Sequence, residues 1–253
     1  MRKILGIIRY TFIEILRNKV YYVLLLFAGM LILSAMLLGS LGGEQKARMI
    51  IDMGLASIEL LCLIIAVFAA VTLILEEMES RTLYLVLTRP VARYQFILGR
   101  FLGLVAVLSV TYLIMAGGHL TLLATNRIHP DAHYALSLFY SWEKVVLITS
   151  LALFFSLFST STVSAVAFTL FFWIMGHFSH EMLSLGRRAG TPLVLWICNA
   201  FYYLTPNFQV MNLRDFSPAQ AGLDWLWAAA GYGLSYTLVC LSLTVFLFRK
   251  REF

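Results

Sequence analysis

The chain has 253 residues, of which 61% are hydrophobic and only 13% charged, whereas a soluble domain carries about 25% charge. Its apolar residues are blocked into long runs, the pattern of bilayer spans rather than of a water-soluble core. The formal net charge of +6 sits beside those runs, where topology and anionic lipid account for it, so it does not argue for nucleic acid.

The first element is MRKILGIIRYTFIEILRNK, residues 1–19. Ile4, Leu5, Ile8, Phe12, Ile15 and Leu16 recur at helical spacing against polar Arg2, Arg9, Glu14, Arg17 and Lys19. That pattern predicts a helix lying in the membrane interface. It is too long and too patterned for the n-region of a signal peptide.

A span needs about 20 apolar residues. Span 1 is expected over 21–41, span 2 over 55–75 and span 3 over 101–125. From 145 to 178 no residue is formally charged, and as one helix that run would be roughly 50 Å long, too long for a single crossing. The polar break Ser159-Thr160-Ser161-Thr162 divides it into span 4 over 138–158 and span 5 over 163–180. The outer segment 181–225 contains PLVLWICNAFYYL, residues 192–204, which is apolar but too short to cross. It reads as a re-entrant or interfacial helix started by Thr191-Pro192 and ended by Pro206, with Trp196, Tyr202 and Tyr203 in the headgroup zone. Span 6 is expected over 226–248.

The N-terminal stretch, the segment 76–100 and the C-terminus hold most of the 19 Lys and Arg residues. Positive-inside bias therefore puts both termini in the cytoplasm, together with the loop between spans 2 and 3. The middles of the six spans carry no Asp, Glu, Lys or Arg; Glu59 lies near the outer end of span 2. An ion-coupled carrier usually needs buried ionisable groups. No GxxxxGK[ST], no HExxH and no protease-like Asp pair is present. Cys62, Cys198 and Cys240 are far apart in apolar sequence. Work against a gradient would thus draw its energy from another chain.

The charged internal loop is EEMESRTLYLVLTRPVARYQFILGR, residues 76–100. Glu76, Glu77 and Glu79 follow span 2. Leu83, Tyr84, Val86 and Leu87 then form an apolar patch outside the membrane, available for docking to a soluble partner. Pro90 suits the first turn of the next helix. An ordinary charged turn is the plainer reading, but it explains the clustered glutamates poorly.

This loop resembles that of type-2 ABC transporter permeases (the ABC-2 family), close to E-x-E-x-G-T-x-x-x-L-L-x-x-P-x-x-R-x-x-x-x-x-G-K/R. Glu77, Glu79, Thr82, Leu87, Pro90, Arg93, Gly99 and Arg100 fall on the pattern, and Arg81 stands where it has glycine. TPNFQVMN, residues 205–212, resembles a P-N-F/L-x-x-x-N segment of the branch that includes nitrous-oxide-reductase maturation permeases. The resemblance covers nearly the whole chain. It implies an all-α integral membrane protein, one transmembrane domain over 1–253 with six membrane helices, an N-terminal amphipathic helix and a short outer helix before the last span.

It also implies a non-catalytic permease subunit of an ATP-driven exporter in a bacterial or archaeal plasma membrane. That subunit would pair with a second copy and with two cytosolic ATPase subunits, which bind the ATP and Mg2+. Cofactors in this chain, and nucleic acid as a partner, are not expected. Membrane lipids are, and some relatives act on a partner at the outer face. Glu77, Glu79, Thr82, Leu83, Leu87, Pro90 and Arg93 would couple the permease to its ATPase. Two alternatives stay open: a force-transmitting subunit that moves no solute, and a channel or carrier that needs no ATPase.

The five histidines, His119, His129, His133, His177 and His180, fall in the outer half or outside the spans. His177, His180 and Glu181 stand at i, i+3 and i+4, one face of a continuous helix, and imidazole with carboxylate suits several divalent metals. Ordinary interface placement explains them without a metal, and no metal is expected.

Overall fold

A computed structural model describes residues 2–41, 43–79, 92–214 and 222–250. The described residues are helical with no strand. We number the helices α1 (Arg2–Arg17), α2 (Lys19–Leu41), α3 (Lys46–Glu79), α4 (Arg93–Thr125), α5 (Ala132–Phe158), α6 (Thr162–His177), α7 (Ser179–Arg188), α8 (Pro192–Leu204) and α9 (Leu223–Lys250). Short 3-10 turns lie at Gly43–Gln45 and Phe208–Met211.

Four helices, α3, α4, α5 and α9, are long and apolar enough to cross a bilayer, and a fifth crossing results if α6 and α7 count as one bent span. The expected first span falls on α2, a 23-residue helix with only part of its side chains described.

The helices outrun the expected spans. α3 begins at Lys46, so the outer loop expected at 42–54 is mostly helix; Ile50 is buried there and extends the packed stripe of α3 beyond the expected span. α5 begins at Ala132, where the Asp131 side chain accepts from the Tyr134 amide at 3.1 Å, a conventional N-cap. The polar break appears as expected: α5 stops at Phe158 and α6 resumes at Thr162. Ser159 turns its hydroxyl to the Ser161 carbonyl at 3.0 Å, drawing the backbone out of the helix.

Span 5 differs more. Its helix ends at His177, and the chain bends by 69° into α7. Gly176 lies against the Pro206 carbonyl and the Phe208 ring, where a Cβ would come within 2.3 and 2.6 Å of them. Gln209 donates to the freed His177 carbonyl at 2.8 Å. The bend is therefore built by the segment that returns from α8, which supplies the missing hydrogen-bond partner.

The short apolar helix is present with its expected bounds, Thr191 at the N-cap and Pro192 in the first turn. It packs back on α7, where Gly186 meets Cys198. Trp196 is 70% and Tyr203 81% exposed, large rings free to face lipid headgroups. At the centre is α3, with Ile58, Leu61, Cys62, Ile65, Ala66, Ala70 and Val71 buried. α2, α4 and α5 pack around it, α9 lies on α5, and α1 lies along α4.

Candidate functional site

Two charged assemblies stand apart in the bundle. The first joins α1, the start of α4 and the end of α9. A Cβ on Gly99 would stand 2.8 Å from the Ile7 Cβ, and one on Gly103 2.6 Å from the Thr11 Cβ. Only glycine lets the two helices approach so closely. Arg100, between them, is 2% exposed. It donates to Glu14 at 2.6 Å and to Thr11 Oγ1 at 3.0 Å, with the Tyr10 and Phe96 rings 5.1 and 5.6 Å from its guanidinium. A guanidinium so enclosed needs this carboxylate, because an unpaired buried charge is costly.

Arg93, the first residue of α4, reaches across to α9. Its Nη1 donates to the Phe248 carbonyl at 3.1 Å and to the Arg249 carbonyl at 2.8 Å. Those carbonyls belong to the last turn of α9, where the helix has run out of its own donors and the dipole is negative. Phe96 stacks on Phe248 at 5.7 Å, closing the joint.

The other loop residues are placed less fully. Glu77 and Glu79 lie on the last turn of α3. Thr82, Leu83, Leu87 and Pro90 lie outside the described residues. α4 begins at Arg93, with the Ala92 amide donating to Gln95 Oε1 at 3.3 Å.

The second assembly joins α3 and α5 and was not foreseen from sequence. Glu59 of α3 accepts from Ser141 at 2.9 Å and Lys144 at 3.2 Å, both on α5. Arg214, just before α9, pairs with the same carboxylate and also donates to the Leu55 carbonyl at 3.0 Å. His177, at the end of α6, comes within 3.9 Å. One carboxylate thus ties together side chains from four parts of the chain. Glu59 and Lys144 are nearly sealed from solvent, with side chains 8% and 5% exposed. Glu143, next to Lys144, is also buried, and its carboxylate and the Met211 sulfur both lie against Gly233 of α9. The signal in the sequence was limited to Glu59 and Lys144, formal charges beside long apolar runs.

The histidine set does not assemble as a single helical face. The bend at Phe178 separates His177, turned to Glu59, from His180 and Glu181 on α7. His177 also uses Nδ1 on the Trp173 carbonyl at 2.9 Å and stacks on Phe208. Among the described residues no three His, Cys, Asp or Glu side chains are grouped as a metal would require. His119 is buried between the Tyr134 hydroxyl and the Ile50 carbonyl, pinning α4 to α5 and α3. The three cysteines are free and buried.

A family model described as ABC-2 family transporter protein matches residues 7–253. No curated protein matches the chain.

Proposed function

The chain belongs to the ABC-2 transporter family, and from that premise we propose that it is the permease subunit of an ATP-driven exporter. A cytosolic ATPase would supply the energy, docked under α1 and the stretch 76–100. The observation that carries this reading is the Arg100–Glu14–Thr11 clamp, with Gly99 and Gly103 in close contact with α1. It fuses the amphipathic helix to the helix that follows the loop, so a push on either would reach the bundle as one body. The catalytic machinery would lie in the partner, since the sequence contains no phosphate-cradling loop.

In this reading Glu77, Glu79, Thr82, Leu83, Leu87 and Pro90 form the coupling surface. Two copies of the permease pair with two of the ATPase, and six spans leave both termini in the cytoplasm. The TPNFQVMN segment supports placement near the nitrous-oxide-reductase maturation branch. Its Asn207 and Gln209 build the turn that seats against His177.

Leu87 gives the test. An apolar side chain outside the membrane is explained by burial against a partner. Leu87→Asp would put a charge into that contact, and a loss of about 3 kcal/mol would weaken association more than a hundredfold. The measurement is co-purification of the ATPase with tagged permease, together with permease-dependent ATP turnover, after membrane insertion has been verified. Unchanged binding and turnover would remove Leu87 from the interface.

The Glu59 assembly favours a second reading, a subunit that stays closed outside and passes force to an outer-face partner. A cross-link between the outer ends of the two copies would stop an exporter and spare a force transmitter. Permease-dependent ATP turnover reads the difference.

A further inference from the structure

We infer that Arg93 is a positioning residue that carries movement of the loop's end into the last span, α9, and not a contact with the ATPase. This rests on the permease reading above. The joint has two parts on the inner side. The Arg93 guanidinium holds the Phe248 and Arg249 carbonyls, and the Phe96 ring stacks on Phe248, which is fully buried. Arg93 is the first residue of α4, directly continuous with the loop. A displacement of the loop's end therefore pulls on the C-terminus of α9 before it reaches any other part of that helix.

The far end of α9 is fastened just as firmly. Tyr140 donates to the Leu226 carbonyl at 2.7 Å, the Asn207 amide donates to the Tyr232 hydroxyl at 2.7 Å, and Tyr236 donates to the Leu204 carbonyl at 2.7 Å. The first of these contacts holds α9 to α5, and the other two hold it to the segment 204–214, which ends in Arg214 on Glu59. A helix of 28 residues is a stiff rod of roughly 42 Å. It connects the loop's end to the segment that carries Arg214 to the Glu59 assembly. A guanidinium engaged on two carbonyls of the last turn is a joint of this rod, and the joint is what ATP-driven movement would act on.

The experiment uses the permease with its ATPase in lipid nanodiscs. Hydrogen exchange is followed by mass spectrometry, with and without a non-hydrolysable ATP analogue. In the wild type, nucleotide should change exchange in residues 204–214. With Arg93→Gln the ATPase should still co-purify at wild-type level. The last amides of α9 should exchange about tenfold faster, the cost of losing a charged cap. The nucleotide response at 204–214 should disappear, and Arg93→Lys, which keeps a donor, should restore part of it.

Phe248→Leu weakens the same joint from the other side, should act in the same direction, and carries the test should Arg93→Gln fail to insert. A retained nucleotide response in these variants, or none in the wild type, overturns the inference. So does loss of ATPase binding in Arg93→Gln, which would make Arg93 a docking residue. Failure of the wild-type permease to retain any ATPase would instead remove the permease reading itself.

Discussion

At the scale of single residues, the charges differ by burial far more than by kind. Arg48 and Asp52 form an exposed pair at 3.6 Å with side chains 77% and 46% accessible. Such pairs contribute roughly 0–1 kcal/mol. Glu59 faces Lys144 and Arg214 where water is nearly excluded. Removing one partner of a buried group costs about 3–5 kcal/mol, because the remaining charges stay buried and unpaired. Glu59→Ala should therefore lower the thermal unfolding midpoint of the detergent-solubilised protein markedly, and Asp52→Ala hardly at all. Equal midpoints for the two variants would show that Glu59 is not the tie between these helices. Ser141→Ala, which removes one neutral donor, should fall between them at about 1 kcal/mol.

At the scale of elements, two contacts can be tested separately. Gly103→Val would drive side-chain atoms into Thr11, where even a Cβ stands 2.6 Å away. Overpacking of this kind costs about 1–3 kcal/mol and is relieved most easily by the outermost partner, α1. The expected result is a normally inserted protein whose amphipathic helix is cleaved faster by added protease. Cleavage at the wild-type rate would mean that α1 does not depend on this close approach.

The second contact concerns α8, which at 13 residues spans roughly 20 Å and is too short for about 30 Å of hydrocarbon. Cysteines placed at Thr191 and Leu204, both exposed, should react with an impermeant thiol reagent from the same side. Labelling from opposite sides would make α8 a crossing.

At the scale of the whole molecule, the proposed topology has both ends inside. A reporter that fluoresces only in the cytosol, fused after Phe253, should be bright. Darkness there, with activity of an externally sensitive reporter, would reverse the orientation. The division of labour gives a second expectation. Purified permease without its partner should show only background ATP hydrolysis, and stoichiometric turnover by the isolated chain would contradict it.

Composition and apolar blocking were sufficient to establish a helical membrane protein, because lipid leaves the backbone few other ways to satisfy its hydrogen bonds. The loop motif was sufficient to point to the family that the match over residues 7–253 shows. The polar break after Phe158 and the bounds of α8 were also legible, since Ser, Thr and Pro act on the local backbone. What stayed hidden depended on residues far apart in the chain. Glu59 read only as a charge near a span end, and only packing brought Lys144 and Arg214 onto its carboxylate. The bend after His177 is made by Pro206, Phe208 and Gln209, about 30 residues downstream. Arg93 carried a motif in the sequence, but its partners are the final carbonyls of a helix that ends 157 residues later, at Lys250. Local propensity acts within a turn or two of helix, whereas buried charge is satisfied by whatever the folded bundle brings within hydrogen-bonding distance, and tertiary structure alone decides that.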